Sequence, residues 1–525
     1  MELFMAGNIR KTISLMLAIS MSAAVFGGCN IVTKPVADAS SSPGTEISTT
    51  EASTTMNTEK TAEPSASESI ILKTPDGKTV VDTTYVRTID GVKPEMMYAD
   101  YWIKEGHDQV LMTPEQIEEF NKNNKGVIKA SDKTILPHPD DYEDTLDGKV
   151  LRSFLKDNEK AVPKDPSKYF LNGKPTTAEY WQELAALSNI DGVPETINVR
   201  YGFTTKRMTL RQFPTEDRVF DSKSDRYYDS ILFSECMPYM PVVVLHESTD
   251  GNYLYAVFDS FAAWVRKDAI AFCKDKADWQ ARQNPGQWLV VTAREIRLGN
   301  DPYSSKTSNL VLPMGTRMEL VPVSKAPQSI SQRTTYGDYV VKVPTRGSDG
   351  NITDEYVLIP VSDDVNVGFL PLTPANIVRQ AMKLQGDRYG WGGDLQANDC
   401  TGITREIYRC FGVLLTRTGQ SGSKGVSKTD MSKMNDKKKL EVIEKLTPGS
   451  LISMPGHMMI YLGTVNGKPY VISACGTFVD PAPGSTEARH PNSVIICNLY
   501  VRTRSLKTWL AISTTALTIT PAAGK

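Results

Sequence analysis

The stretch "NDCTGITREIYRCFG", from Asn398 to Gly412, carries two thiols, Cys400 and Cys410. Apolar residues recur in it at helical spacing, which predicts an amphipathic helix that runs onward from Cys400. The residues on or near its apolar face are Ile403, Ile407, Cys410 and Phe411. Cys410 is therefore expected in the helix body and the core, while Cys400 lies at the helix start.

The start of this helix favours a reactive thiol. Asp399 and Thr401 are residue types that begin helices, so they place Cys400 at or near the first turn. The unpaired N–H groups and the positive end of the helix dipole favour a thiolate there. The same N–H groups can hold the oxyanion of a tetrahedral intermediate. Cys400 is thus a candidate nucleophile, and the alternative is an inert buried thiol.

A nucleophilic cysteine needs a base, normally a histidine. Of the five histidines, only His457 and His490 lie beyond residue 372. His457 opens the apolar stretch "HMMIYLG" directly after a Pro-Gly pair, which predicts the first residue of a strand. His490, in "EARHPNS", is expected in an exposed loop. The sequence therefore predicts His457 as the base, against the alternative that it is a core residue.

The rest of the chain divides into several domains, as expected for 525 residues. Two helices followed by strands predict an α+β domain at 372–525. Short strands with tight turns predict two small β-barrels, at 196–275 and 284–368. Polar helices and loops predict a helical stabilising region at 70–195. The fold class is therefore multidomain α+β.

Two local signals in these domains are specific. In "MTPEQIEEF", Thr113 is placed as the N-cap, Pro114 as the first helical residue and Gln116 as the partner in a capping box. Asp250-Gly251, between two apolar runs, predicts a β-hairpin. Both signals define the start or turn of an element independently of tertiary contacts.

The N-terminus has the composition of an export signal. Arg10 and Lys11 precede an apolar run that ends in "FGGC" at Cys29, and this run is too short to span a bilayer as a mature helix. It is similar to the lipobox of bacterial lipoproteins, which implies a signal peptide at 1–29, a lipid on Cys29 and anchoring to the membrane. The alternative is ordinary secretory cleavage with an incidental cysteine. Residues 30–69 are expected to be a disordered Ser/Thr-rich linker.

Composition argues against several functions. The net charge is -2 and no basic stripe is present, so nucleic-acid binding is not expected. The cysteines after Cys29 are widely spaced without a C-x-x-C motif, which predicts neither a zinc site nor a dense disulfide scaffold. No metal or cofactor is expected. The sequence leaves open whether one pair of these cysteines forms a disulfide.

Four motifs, "YGWGG", "DCTG", "GHMMIYLG" and "YVISACG", together resemble those of the NlpC-type cell-wall endopeptidases, which are papain-like cysteine peptidases. The resemblance covers about 372–525. The two β units before it resemble bacterial Src-homology-3-like domains, so the whole chain is similar to the subfamily that carries such domains before the catalytic domain. It implies Cys400 as the nucleophile and His457 as the base. It also implies cleavage of peptidoglycan stem peptides, typically at the γ-D-glutamyl–diamino acid bond of peptides with a free N-terminal L-Ala.

The resemblance also implies a substrate groove beside the thiol. Tyr389 of "YGWGG", Asp399 and Thr401 match positions that line this groove in the family, while Trp391 is expected to pack beneath it. The first barrel is expected to close one end of the groove. The implied partners are peptidoglycan stem peptides and, through Cys29, the membrane that faces the cell wall.

The sequence departs from the family pattern at the residue that orients the histidine. A second histidine is common there, whereas this chain has Ser473, in "VISACG". A serine can accept a hydrogen bond from the imidazole, but it adds no negative charge to stabilise an imidazolium. Two alternatives to a stem-peptide endopeptidase therefore stay open. One is a catalytically weakened domain that binds wall peptides, and the other is Cys–His chemistry on a different acyl group.

Overall fold

The computed structural model describes residues 84–417 and 427–519. The predicted signal peptide, Cys29 and the Ser/Thr-rich linker lie outside the described residues. Within the described ranges, no helix combines the length and the apolar character needed to cross a bilayer.

The N-terminal region combines short helices with two- and three-residue strands. The predicted capping box is present, because Gln116 N donates to Thr113 Oγ1 at 3.3 Å and Thr113 N donates to Gln116 Oε1 at 2.9 Å. The α-helices are Ala99–Trp102, Pro114–Asn123, Gly148–Glu159 and Ala178–Ala186. The short strands are Ile128–Lys129, Ile135–Leu136, Thr145–Asp147, Phe170–Leu171 and Lys174–Pro175.

This region is joined to the following β unit by backbone hydrogen bonds. Thr145–Asp147 pairs with Thr196–Asn198, and Phe170–Leu171 pairs with Val219–Phe220, both antiparallel. The two ladders cross the predicted boundary at residue 196. The N-terminal region is therefore structurally continuous with the β unit that follows it.

The first β unit, residues 196–275, contains a seven-stranded antiparallel sheet. Its predicted hairpin is present, since Pro241–Glu247 pairs with Tyr253–Val257 around Gly251, whose φ is 71°. The strand order is linear and does not close into a barrel among the described strands. In spatial order the strands are Leu232–Cys236, Met208–Arg211, Ala262–Arg266, Tyr253–Val257, Pro241–Glu247, Arg200–Thr204 and Ile270–Phe272.

The second β unit, residues 284–368, follows the helix Lys276–Gln283 and contains a five-stranded antiparallel sheet. In spatial order its strands are Ile352–Pro360, Asp338–Arg346, Arg317–Leu320, Trp288–Val291 and Val365–Val367. Two short antiparallel pairs complete the unit: Glu295–Arg297 with Val311–Pro313, and Ser329–Ile330 with Arg333–Thr334.

The C-terminal domain packs helices on a six-stranded antiparallel sheet. Its helices are Pro374–Lys383, Cys400–Arg409, Asp436–Ile443 and Trp509–Ile512. In spatial order its strands are Ser427–Asp430, Thr515–Thr518, Leu451–Met454, His457–Val465, Lys468–Cys475 and Ser493–Asn498. Phe478–Val479 and Ala488–Arg489 form a separate short pair.

Three of these elements position the candidate site. We call Cys400–Arg409 the cysteine helix, His457–Val465 the histidine strand and Lys468–Cys475 the serine strand. Their apolar faces share one core, which includes the fully buried Ile407, Ile460 and Ile472. Burial of each such side chain contributes about 1.5–3 kcal/mol, so this core fixes the helix against the two strands.

Candidate active site

The cysteine helix begins at Cys400, as the sequence predicts. Asp399 is its N-cap, and its Oδ1 accepts hydrogen bonds from Thr401 N at 3.1 Å and Gly402 N at 2.8 Å. Cys410 is fully buried and follows the last helical residue, so it lies at the C-cap rather than in the helix body. Nine helical residues therefore separate a thiol at the first position of the helix from a core thiol at its C-cap.

The cap limits which N–H groups are free to bind an oxyanion. The N–H groups of Thr401 and Gly402 both donate to Asp399, so the expectation that the whole first turn is available needs correction. The Ile403 N–H donates to the Asp399 carbonyl, which closes the first helical turn. Of the first N–H groups of the helix, the Cys400 N–H is the one without an acceptor among the described residues. It is therefore the N–H of the first turn that stays available for a developing oxyanion.

His457 is the first residue of the histidine strand, as predicted. The turn before it contains Gly456 with a φ of 74°, a left-handed conformation that favours glycine. The imidazole lies 4.9 Å, centroid to centroid, from the Trp509 ring in an edge-to-face arrangement. The backbone turn and the indole together restrict the direction of the ring.

Ser473 contacts the imidazole from the neighbouring strand. Its Oγ lies 2.8 Å from His457 Nε2 and 3.1 Å from the Met458 carbonyl oxygen, and the residue is fully buried. In the arrangement that uses both contacts, the single hydroxyl proton is donated to the carbonyl, and the oxygen accepts from Nε2–H. That tautomer leaves the lone pair on Nδ1, which can then accept a proton from a thiol.

The thiol of Cys400 faces the first residues of the histidine strand. The backbone N–H of Met458, the second residue of that strand, lowers the pKa of the thiol. One helical turn further on, Thr404 Oγ1 lies 3.9 Å from Met458 Sδ. The structure therefore brings Cys400, His457 and Ser473 into one site, although 73 residues separate the first from the last in sequence.

Burial governs the protonation of both groups. Burial raises the pKa of Cys400 to about 12, and the Asp399 charge adds to this, against lowering by the Met458 N–H and by Arg417. Burial lowers the pKa of His457 to about 4, with the Asp399 charge opposing. At neutral pH the resting pair is therefore a neutral thiol and a neutral imidazole. The helix start alone predicts a thiolate, but desolvation outweighs the dipole here.

Asp399 and Thr401 are held by an arginine that the sequence analysis missed. Arg417 Nη2 lies 2.6 Å from Asp399 Oδ2, and its Nη1 contacts the Thr401 hydroxyl. Although burial alone would raise it, the pKa of Asp399 is lowered by Arg417 and by the N–H of Gly402. In this structure the two residues support the helix start, and their predicted contact with substrate stays a prediction. Arg417 lies in a polar stretch without a motif, so no spacing signal indicates it.

Tyr389 lies at the side of the site that the first β unit approaches. It is buried, and its ring centroid is 5.8 Å from that of Tyr228, which in turn is 5.9 Å from that of Trp391. Tyr228 also approaches Gly476, where an added Cβ would lie 1.8 Å from the tyrosine hydroxyl. Tyr228 of the first β unit thus reaches the edge of the site. The expectation that this unit closes one end of the substrate groove stays a prediction.

The other candidates lie outside the site or form no cluster. His490 is exposed, as predicted, and its Nδ1 is 3.1 Å from Thr477 Oγ1. Within the described residues, no group of three or more histidine, cysteine, aspartate or glutamate side chains is arranged to hold a metal ion. The described cysteines, Cys236, Cys273, Cys400, Cys410, Cys475 and Cys497, are all free thiols.

The fold and the site together define a class. A cysteine at the start of a helix, packed against an antiparallel sheet that presents a histidine and a buried hydroxyl, is the arrangement expected of a papain-like cysteine peptidase. Residues 386–474, which include Cys400, His457 and Ser473, match the model of the NlpC/P60 family, a family of peptidoglycan-hydrolysing endopeptidases. Residues 218–266 match the model of an SH3 domain of the SH3b1 type. The chain therefore carries an NlpC/P60 domain behind an SH3b-like domain.

A solved structure is similar over most of the chain. It is described as a novel NlpC/P60 endopeptidase from Photobacterium damselae subsp. piscicida, and the TM-score is 0.61 at 16% sequence identity. The match covers 80% of this chain and 96% of that chain. At this identity the likeness shows the fold alone. No curated protein sequence matches the chain. The predicted family resemblance and the multidomain α+β fold are both confirmed.

Proposed function

We propose that this protein is a cysteine endopeptidase that cleaves the γ-D-glutamyl–diamino acid bond of peptidoglycan stem peptides with a free N-terminal L-Ala. The observation that carries the proposal is the Cys400–His457–Ser473 arrangement, inside the segment that matches the NlpC/P60 family. Support for the particular bond comes from the resemblance of the four motifs to the family.

The geometry supports a general-base mechanism from a neutral pair. Nδ1 of His457 accepts the proton of Cys400 as the sulfur attacks the carbonyl carbon, and the Cys400 N–H stabilises the oxyanion. The imidazolium then gives its proton to the leaving amine, so that the acyl group stays on the sulfur. Water completes the cycle by hydrolysing the thioester, with the same imidazole as the base.

The preference for a free N-terminus rests on the first β unit. Tyr228 approaches Tyr389, Trp391 and Gly476 at one edge of the site, so it limits the room for a longer chain on that side. A stem peptide that ends at L-Ala fits such a limited groove. In this proposal the L-Ala end of the stem peptide lies toward Tyr228, so the tyrosine excludes a stem peptide that is still linked to the glycan.

The test uses two matched peptides and the chain without residues 1–69. We expect the tetrapeptide L-Ala-γ-D-Glu-diamino acid-D-Ala to be cut after D-Glu, and its N-acetylated form to be cut at least tenfold more slowly. Mass spectrometry of the products identifies the bond. Equal rates for the two peptides would refute the proposed preference, and cleavage at another bond would refute the proposed specificity.

The same experiment separates the enzyme from a binding module. The hydroxyl of Ser473 supplies no negative charge to the imidazolium, which is the observation that favours a catalytically weakened domain. Calorimetric binding of the free tetrapeptide without any cleavage would replace the enzyme by a module that binds wall peptides.

We also propose export and a lipid anchor at Cys29, on the basis of the N-terminal sequence. The expected result is an N-terminal peptide of the membrane fraction that begins at Cys29 and carries a diacylglyceryl group by mass spectrometry. A chain that begins elsewhere, or an unmodified Cys29, would refute this part of the proposal.

A further inference from the structure

The segment before the nucleophile is held by a residue of a different unit. Arg207 of the first β unit extends into the C-terminal domain, and its Nη2 donates to the Ala397 carbonyl at 2.9 Å and to Asn398 Oδ1 at 3.0 Å. These two residues immediately precede the cap, Asp399, and the nucleophile, Cys400. Arg207 therefore contacts both the backbone and a side chain of the turn that leads into the cysteine helix.

Arg207 is itself fixed from behind. Its Nε lies 2.6 Å from Glu235 Oε2, and the two side chains are only 11% and 7% exposed. Arg207 directly precedes the strand Met208–Arg211, and Glu235 lies on the strand that pairs with it. A charge-assisted, buried contact of this kind restricts the guanidinium to one orientation, so its two bonds to the turn are directional.

Glu406 of the cysteine helix completes the network. Asn398 Nδ2 donates to Glu406 Oε2 at 2.7 Å, and Glu406 Oε1 lies 3.7 Å from Arg207 Nη1. Glu406 Oε1 has no hydrogen bond among the described residues. Burial raises the pKa of Glu406, and Arg207 opposes this shift. The Arg207 guanidinium thus offsets two buried carboxylates while it also binds the turn that precedes Cys400.

We propose that Arg207 is a positioning residue for the nucleophile: it holds the Ala397–Asn398 turn in the place that directs Cys400 toward His457. The first β unit is then part of the catalytic apparatus and more than an appended recognition module. The test of this inference by kcat rests on the proposed function. Its test by hydrogen exchange at residues 397–404 needs no substrate.

The test compares Arg207→Met with a matched control. Arg294 of the second β unit also pairs with the C-terminal domain, through Asp387 at 2.8 Å, and within the described residues no hydrogen bond or ion pair joins its side chain to the turn or to the cysteine helix. In Arg207→Met we expect kcat to fall about tenfold or more with KM changed less than threefold. In Arg294→Met both constants are expected to stay within threefold of the wild type.

Hydrogen exchange measured by mass spectrometry gives the readout without substrate. We expect faster exchange in Arg207→Met for peptides that cover residues 397–404, and unchanged exchange there in Arg294→Met. If the wild type cleaves no stem peptide, the proposed function fails while this comparison still decides the role of Arg207. Unchanged exchange at 397–404, or an unchanged kcat in an active enzyme, would overturn the inference.

A conservative variant covers the case in which Arg207→Met does not fold. Arg207→Lys keeps a positive charge between Glu235 and Glu406, but an ammonium lacks the planar fork that reaches the turn and the carboxylate together. We expect this variant to fold and to show a smaller loss of kcat in the same direction. Wild-type kcat and wild-type exchange at 397–404 in Arg207→Lys would overturn the inference as well.

Discussion

Replacement of Cys400 by alanine is expected to lower kcat for the free stem tetrapeptide by about 10⁴-fold or more, because the substitution removes the thiol that forms the acyl intermediate in the proposed mechanism. Cys400 is the thiol at the first position of its helix, beside the Met458 N–H and within the segment that contains His457 and Ser473. Product formation is followed by mass spectrometry, and a melting curve checks that the variant stays folded.

The matched control is Cys410→Ala, in the same helix segment. Cys410 is fully buried, and its Sγ lies 3.6 Å from the Val291 carbonyl oxygen, away from the site. Loss of a small buried side chain costs about 1 kcal/mol of stability, so we expect a lower melting temperature with kcat within threefold of the wild type. Equal losses of activity in both variants would contradict the assignment of Cys400 as the nucleophile.

Local chemistry explains why much of the fold and site could be predicted. The starts of helices depend on caps, so Thr113, Pro114 and Asp399 define their positions without reference to the rest of the chain. The hairpin at Asp250-Gly251 depends on a backbone preference in the same way. The positions of Cys400 and His457 could be predicted for the same reason, because local sequence places each residue at the start of its helix or strand.

The protonation state of the pair could not be predicted in this way. A helix start favours a thiolate, and the sequence contains nothing that reports how deeply Cys400 and His457 are buried. Desolvation is a sum over all atoms near a group, so it depends on the packed tertiary structure. The structure therefore differs from the expected thiolate: Cys400 rests as a neutral thiol beside a neutral imidazole.

Contacts between distant segments were missed for a related reason. Arg207 lies 190 residues before Ala397 in sequence, and Arg417 lies in a polar stretch without periodicity. A single arginine carries no pattern that names its partner. The contacts of Arg207 depend on how the first β unit packs against the cysteine helix, and those of Arg417 depend on how the chain after that helix folds back onto it. Both residues act on the turn and cap around Cys400.

His457→Ala is expected to lower kcat/KM on the order of 10³-fold, within the range that a general base contributes. The same residue determines the acid side of the pH profile of the wild type. A protonated imidazole cannot accept the thiol proton, and burial lowers the pKa of His457 from 6.5 to about 4. Activity should therefore persist as the pH falls from 7 to about 5 and be lost near pH 4, well below the value for an exposed histidine.

One measurement checks this expectation independently of the substrate's own ionisation. An NMR titration of ¹³C-labelled histidine, assigned with His457→Ala, reports the protonation of the imidazole directly. A midpoint near 6.5 would contradict the burial argument.

Ser473→Ala removes only the hydroxyl that orients Nε2. It is therefore expected to lower kcat/KM about tenfold, the value of one neutral hydrogen bond. A Ser473→Ala loss as large as that of His457→Ala would show that the hydroxyl does more than orient the ring.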